Sequence, residues 1–137
     1  MKKITPVSEL VANAEKIIKR LTPYQAFEML KNETGILADL RDIRELNRTG
    51  KIEDAIHAPR GMLDYLVDPN SLYNKSIFKT YKALILFCAS GWRSALAAKT
   101  LMEMEFDRLF DIEGGLTAWI DRVIRRECKI YKANLKT

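Results

Sequence analysis

Cysteine and histidine are scarce in this chain, which has two cysteines and one histidine among its 137 residues. Cys88 and Cys128 lie 40 positions apart, which favours reduced thiols over a disulfide framework. With one histidine and no Cys-x-x-Cys pair, a structural zinc site is not expected, and we predict no metal. Nucleophilic chemistry is therefore expected at Cys88.

Long apolar runs are also missing. No stretch approaches the roughly 20 residues of a membrane span. Met1 is followed by two lysines and then by residues 4–9, which lack the apolar core of a secretory signal. We therefore expect a cytoplasmic protein with no membrane partner.

A basic central region is absent as well, although the net charge is +5. Residues 1–31 carry a net +3 and residues 121–137 a net +4, whereas residues 32–120 carry −2. Because the excess lies at the two ends, nucleic acid is not an expected partner. The basic residues near the end are interpreted as a solvated helix face, with an acidic partner as the alternative. They include Arg122, Arg125, Arg126 and Lys129.

Apolar residues make up 47% of the chain, enough for the core of one domain. Their spacing predicts an amphipathic first helix over 8–21, capped by Ser8, and a second helix from Thr22 to about Lys31. Strands are predicted at 36–40, 55–58, 83–87 and 108–112, with short helical turns at 42–46 and 62–66 and helices at 76–82, 94–105 and 116–124. This alternation predicts a three-layer α/β fold. A parallel central sheet of about four to five strands would carry helices on both faces, with the first helix as an addition.

Cys88 follows the apolar run 83–87, so it is expected at the carboxyl end of a buried strand. Ligands of open α/β sheets bind beyond those ends, where the next helix directs free N–H groups and a partial positive charge. Gly91 allows a tight turn, Arg93 supplies a permanent cation, and Ser94 suits the helix cap. These features favour a reactive thiolate over a buried structural cysteine. Trp92 is expected either as an apolar wall of the pocket or as a ring packed on the domain.

The active-site loop, Cys88-Ala89-Ser90-Gly91-Trp92-Arg93-Ser94, resembles the Cys-x-x-Gly-x-Arg-Ser loop of the rhodanese-like domain family. Asp39-Leu40-Arg41 resembles the Asp-x-Arg that follows an early strand in that family. Residues 50–59 and 113–119 resemble its Gly-His-Ile-Pro-Gly-Ala-x-x-Ile-Pro segment and its Gly-Gly-x-x-x-Trp turn. Lys51 and the pair Glu53-Asp54 depart from the pattern, outside the nucleophile loop.

The resemblance implies a rhodanese-like α/β domain over residues 22–125. Residues 1–21 would then be an N-terminal helical extension, and residues 126–137 the basic end of the last helix and a tail. It also implies sulfurtransfer in two steps, without metal or organic cofactor. Cys88 takes a sulfane sulfur from a small donor such as thiosulfate, becomes a persulfide, and passes the outer sulfur to a thiol, to a cyanide-like acceptor or to a protein.

Two other functions remain open. Cysteine phosphatases and arsenate reductases also place a thiolate and an arginine around an oxyanion, but their loops resemble Cys-x5-Arg. Here four residues separate Cys88 from Arg93, and the smaller ring of amides favours a sulfur atom over a phosphate. The third possibility is an interaction module without turnover, which docks a partner through the first helix. The oligomeric state is open.

Several further residues have predicted roles. Asp39 and Arg41 are interpreted as a buried framework pair. Arg60, beside Gly61, is a candidate for the rim of the pocket. His57 is expected to be a strand residue with a satisfied hydrogen bond, and Cys128 a plain thiol. Because the loop has no cation besides Arg93, we expect only modest use of thiosulfate.

Overall fold

The computed structural model describes residues 3–124 and, for the backbone, residues 133–135. Cys128, the basic residues from Arg125 to Lys129 and most of the tail lie outside the described residues. The predictions made for them therefore stay predictions.

A five-stranded sheet, parallel throughout, forms the centre of the domain, in the order β1-β6-β5-β2-β4. Its strands are β1 (Arg20–Leu21), β2 (Gly35–Asp39), β4 (Ile56–His57), β5 (Ala83–Phe87) and β6 (Leu109–Ile112). A separate antiparallel pair joins β3 (Gly50–Ile52) to β7 (Ala133–Leu135). The predicted parallel sheet of four to five strands is confirmed.

Helices cover both faces of this sheet. They are α1 (Val7–Glu15), α2 (Pro23–Lys31), α3 (Ile43–Thr49), α4 (Arg60–Val67), α5 (Trp92–Glu103) and α6 (Gly115–Trp119). A π-helical turn, Ile120–Ile124, extends α6. Thr22 and Gln25 form a capping box that starts α2, as the sequence predicts.

Side chains of β5 alternate between two cores, one on each face of the sheet. Leu84 and Leu86 pack with α1, α4 and α5, whereas Ile85 and Phe87 pack with Phe27 and other residues of α2 and α6. This arrangement confirms the predicted three layers. Cys88 continues the alternation into the core under α5.

Two predicted helices differ from the structure. The first begins at Val7, with Pro6 and not Ser8 at its N-cap, and it ends at Glu15. Arg20–Leu21 instead form β1, a strand of the central sheet that the sequence missed, as it missed β3 and β7. The cause is pairing with β6, since the backbone of Lys19 and Leu21 accepts hydrogen bonds from Asp111 and Glu113. The helix predicted over 76–82 is only a 3-10 turn, Ser76–Phe78.

Within residues 3–124, no helix is both long enough and apolar enough to cross a bilayer.

Candidate active site

Cys88 lies where the sequence places it, directly after β5 and before the turn that leads into α5. The residue is only 1% exposed and belongs to the core formed with α1, α4 and α5. Burial without a partner would favour an inert thiol, so the polar groups around Sγ decide its chemistry.

The backbone of Gly91 provides the shortest of the polar contacts described for the sulfur. Its N–H donates to Sγ of Cys88 over 3.1 Å. Gly91 has a φ of 105° and is the N-cap residue of α5, so the chain turns back on the sulfur before the helix begins at Trp92. A helix start of this kind supplies free N–H groups and a partial positive charge, which stabilise an anionic sulfur.

Arg93 belongs to the loop but is not a free cation. Its guanidinium donates to both carboxylate oxygens of Glu45, on α3, over 2.6 and 3.0 Å. These hydrogen bonds raise the pKa of Arg93 although its burial opposes the charge, and the Cys88 sulfur adds to the rise. The same pair lowers the pKa of Glu45, against the effect of its own burial. The cation that the sequence predicted beside Cys88 is therefore paired with the carboxylate of Glu45.

Ser94 does not cap α5, because the helix begins two residues earlier. Its side chain is buried, and Oγ donates to Asp111 Oδ2 over 2.8 Å while lying 3.8 Å from Sγ of Cys88. Asp111, fully buried in β6, is in turn paired with Arg20. Sequence reasoning missed Asp111 and Arg20, since only the strand register brings them beside this loop.

The turn at Gly114 and Gly115 packs directly against the backbone of the nucleophile loop. The carbonyl of Cys88 accepts a hydrogen bond from the Leu116 N–H over 2.8 Å. A Cβ on Gly115 would lie 2.5 Å from that same carbonyl oxygen, and Gly115 has a φ of 59°. This turn therefore sets how closely α6 approaches the nucleophile loop.

The remaining loop residues face outward. Ser90 is exposed, and Trp92 is half exposed, so its ring is not packed within the core. The carbonyl of Ala89 accepts hydrogen bonds from both the N–H and the hydroxyl of Thr117. Of the two roles expected for Trp92, a ring packed in the core is therefore not the one observed.

Asp39 and Arg41 form the buried framework pair that the sequence predicts. Arg41 donates to both oxygens of Asp39 and also to Thr49 and the carbonyl of Gly50. His57 donates through Nε2 to the carbonyl of Arg41 over 2.7 Å, which satisfies it as expected. These contacts fix the carboxyl end of β2, the strand next to β5.

Arg60 does not reach the rim of the Cys88 loop. Its guanidinium contacts Asp64 on α4 and Thr100 on α5. Thr100 lies nine residues beyond Gly91, or about 13 Å along the helix. Arg60 therefore bridges α4 and α5, which corrects its predicted position at the rim of the pocket.

A cavity lies beside β2, the strand next to the one that carries Cys88. An open cavity of about 580 Å³ is bounded by the carboxyl ends of β2 and β4 and by α3; its lining includes Asp39, Lys51 and His57 but not Cys88. In the part of the chain that the structure describes, no three cysteine, histidine or acidic side chains converge as a metal site.

The fold is a parallel α/β domain, and its candidate nucleophile is a cysteine that lies between the end of β5 and the start of α5. Residues 22–122 match the Rhodanese-like domain family. The chain therefore belongs to the rhodanese-like domain family.

Two relatives of this chain are named as sulfur transferases. The thiosulfate sulfurtransferase GlpE of Glaesserella parasuis is 28% identical over 108 residues, which cover 77% of this chain and 90% of the relative. The polysulfide-sulfur transferase homodimer of Wolinella succinogenes is 31% identical, with a TM-score of 0.63, and the match covers 82% of this chain and 80% of that one.

A solved structure from Rhodopseudomonas palustris gives a different indication. It is 37% identical, with a TM-score of 0.82, and the match covers 88% of this chain and 93% of that one. That protein is described as being of unknown function and a possible tyrosine phosphatase.

Proposed function

We propose that this protein is a sulfurtransferase that carries a sulfane sulfur as a persulfide on Cys88. The observation that carries the proposal is the hydrogen bond from the Gly91 N–H to Sγ of Cys88, at the N-terminus of α5. That arrangement stabilises an anionic sulfur without needing a second titratable residue. Relatives named as sulfurtransferases support the same assignment.

The proposed reaction has two displacements at sulfur. The Cys88 thiolate attacks the sulfane sulfur of a donor, a new S–S bond forms, and the old bond breaks with its electron pair leaving on the donor. Thiosulfate would release sulfite, and a persulfide would release a thiolate. In the second step an acceptor thiolate or cyanide attacks the outer sulfur, and the Cys88 thiolate is the leaving group. No external oxidant or reductant is required.

Intact-protein mass spectrometry after incubation with a sulfane donor tests the first step. We expect an increase by the mass of one sulfur atom that a thiol reductant removes. Cys88→Ser should abolish it, whereas the matched variant Cys128→Ser should keep it. Failure of the wild type to gain sulfur, or a gain that persists in Cys88→Ser, would contradict the proposal.

Transfer from the loaded protein to a thiol or to cyanide tests the second step. A persulfide that forms and is never passed on would favour the interaction module without turnover. The cytoplasmic location expected from the sequence is kept as a prediction, which cell fractionation tests.

Cysteine phosphatase activity is the second candidate, because the relative from Rhodopseudomonas palustris carries that description. Two features of this chain oppose it. Only four residues separate Cys88 from Arg93, and the Arg93 guanidinium is engaged with Glu45. Hydrolysis of an aryl phosphate that disappears in Cys88→Ser would reverse the ranking.

We propose that the main sulfur donor is not thiosulfate. Thiosulfate is a dianion, and the nearest cation described in the loop, Arg93, is partly neutralised by Glu45. A panel of thiosulfate, mercaptopyruvate, glutathione persulfide and protein persulfides would rank the donors. A low KM for thiosulfate would contradict this part of the proposal.

A further inference from the structure

Arg20 stands directly beside Asp111 because β1 pairs with β6 in a register that matches these two residues. Its Nε donates to Oδ1 of Asp111 over 3.0 Å and its Nη2 to Oδ2 over 2.9 Å. Arg20 also precedes the residues that match the family, which begin at 22. It therefore comes from the segment that the family resemblance leaves outside the domain.

The same guanidinium contacts the nucleophile loop itself. Nη2 of Arg20 donates to the carbonyl oxygen of Gly91 over 2.8 Å. Gly91 is the residue whose N–H donates to Sγ of Cys88, so one residue joins the guanidinium to the sulfur. The carbonyl and the following N–H of a trans peptide point in opposite directions. Holding the Gly91 carbonyl toward Arg20 therefore directs the Trp92 N–H away from Arg20, at the start of α5.

A second path runs from Arg20 to the sulfur through side chains. Asp111 accepts from Ser94 over 2.8 Å, and Ser94 Oγ lies 3.8 Å from Sγ of Cys88. Asp111 has no exposure to solvent, so its negative charge depends on Arg20 for compensation. Without that compensation, a buried carboxylate would oppose negative charge on the nearby sulfur.

Arg20 is itself held in a fixed position. Its remaining arm donates to Glu15 at the end of α1 over 3.0 Å. Burial opposes the charge on Arg20, but the hydrogen bonds and charge of Asp111, together with Glu15 and Glu113, raise its pKa. The guanidinium is therefore a permanent cation with three simultaneous attachments, a geometry that a lysine ammonium cannot reproduce.

We propose that Arg20 is a positioning residue for the Cys88 site: it holds the carbonyl of Gly91, the residue whose N–H donates to the sulfur, and it neutralises Asp111 behind it. This proposal rests on the proposed sulfurtransfer, because its purpose is to stabilise the anionic sulfur that attacks the donor. It assigns a role in the reaction to the N-terminal segment.

The pH profile of Cys88 alkylation by iodoacetamide tests this role, with Cys128→Ser as the background in every variant. In Arg20→Met we expect the midpoint of the profile to rise by about one pH unit, because a buried carboxylate loses its partner and the Gly91 peptide loses its anchor. We expect kcat for sulfurtransfer to fall roughly tenfold, equivalent to one such interaction, with a smaller change in KM. Arg20→Lys should lie between Arg20→Met and the wild type. The exposed neighbour gives the control, and Lys19→Met should leave the profile unchanged.

The double variant Arg20→Met/Asp111→Asn separates positioning from charge. It removes one positive and one negative charge together, so its net charge near the sulfur equals that of the wild type. We expect it to unfold at higher temperature than Arg20→Met, while its alkylation profile stays shifted. A wild-type profile in Arg20→Met would overturn the proposal, and full restoration in the double variant would overturn the role of Arg20 in holding the Gly91 carbonyl. If Arg20→Met does not fold, the double variant and Arg20→Lys provide the same comparison.

Failure of the proposed function would look different. Alkylation needs no sulfur donor, so the profiles report on Arg20 even if the wild type never gains sulfur. A shifted profile with no persulfide in the wild type would leave Arg20 as a residue that tunes the thiol and would refute sulfurtransfer.

Discussion

Glu45 and Arg93 are 48 positions apart in the chain, yet their side chains form a two-point ion pair over 2.6 and 3.0 Å. The pair joins the first turn of α3 to the first turn of α5, beside the Cys88 loop. The carboxylate shares the cation that an anionic donor would otherwise meet. We therefore expect this ion pair to limit the use of anionic donors.

Removing the charge of Glu45 should improve the use of anionic donors. In Glu45→Gln the amide oxygen can still accept from the Asp42 N–H and keep the capping box, while Arg93 gains a full unopposed charge. We expect kcat/KM for thiosulfate to rise about threefold to tenfold, mainly through KM, the size of a screened charge interaction. Steady-state kinetics on thiosulfate measure it.

Glu103→Gln is the matched control for that experiment. It removes a carboxylate from the other end of α5, where Glu103 pairs with Lys99. Equal gains in both variants would show a general charge effect and would rule out a specific role for the Glu45 pair.

The stability of the pair should depend on pH in a defined direction. The hydrogen bonds that Glu45 accepts from Arg93 lower the pKa of Glu45 below its ordinary value of about 4.5. A carboxyl group with a lowered pKa adds stability above the unfolded value and loses it as the pH falls through the folded value. The wild type should therefore be more stable than Glu45→Gln at pH 6 to 7, by about 1 kcal/mol or less because Arg93 is partly exposed. Urea unfolding should show the difference shrinking below pH 4.5, and a constant difference down to pH 3 would contradict the assignment.

Gly115→Ala should destabilise the protein and displace the nucleophile loop together. The new Cβ would meet the Cys88 carbonyl oxygen at 2.5 Å and the backbone of Ala89 at 2.8 Å, in a left-handed conformation. We expect a loss of about 2 kcal/mol in the free energy of unfolding and a lower rate of Cys88 alkylation.

Gly61→Ala is the counterpart, because nothing lies within 4 Å of its added Cβ and its φ is not in the left-handed region. It lies in α4, where alanine is preferred by about 0.5 kcal/mol or more, so the stability should hold or rise. Similar losses in both variants would show that the packing against the Cys88 loop is not the cause.

Arg41→Met should cost much more than any exposed substitution. It leaves the Asp39 carboxylate, 1% exposed, without its cation and removes the hydrogen bonds to Thr49 and Gly50. Breaking a buried pair of this kind costs about 3 to 5 kcal/mol. Chemical denaturation measures the loss. The double variant Arg41→Met/Asp39→Asn should recover part of it, and no recovery would mean that Arg41 acts through its other contacts.

The central fold could be predicted from the sequence because its signals are local. The apolar run at β5, the capping box at Thr22 and the glycines that follow β6 each act within a few residues. The Cys88 loop was predictable for the same reason. Strand, turn and helix start are adjacent in the chain, so the contact between Gly91 and Cys88 spans only three residues.

The roles of some other residues were not predictable, and those of Ser94 and Arg60 had to be corrected. Serine is a common N-cap residue, yet the hydroxyl of Ser94 contacts Asp111, because Gly91 is the N-cap and the helix begins at Trp92. Arg60 is close to the carboxyl end of β4 in sequence, yet it pairs with Asp64 and Thr100. A long side chain follows its nearest partner in space, which the order of residues does not reveal.

The sequence by itself determined where the nucleophile lies and what surrounds it in the chain: a buried strand, a cysteine, a glycine turn and the start of a helix. Only the tertiary structure decided which charged side chains lie around the nucleophile and how they pair. Strand register placed Arg20 beside Asp111, and the packing of α3 near α5 placed Glu45 on Arg93. Backbone hydrogen bonds within a turn are set by local conformation, whereas ion pairs between distant segments exist only once the sheet has fixed those segments side by side.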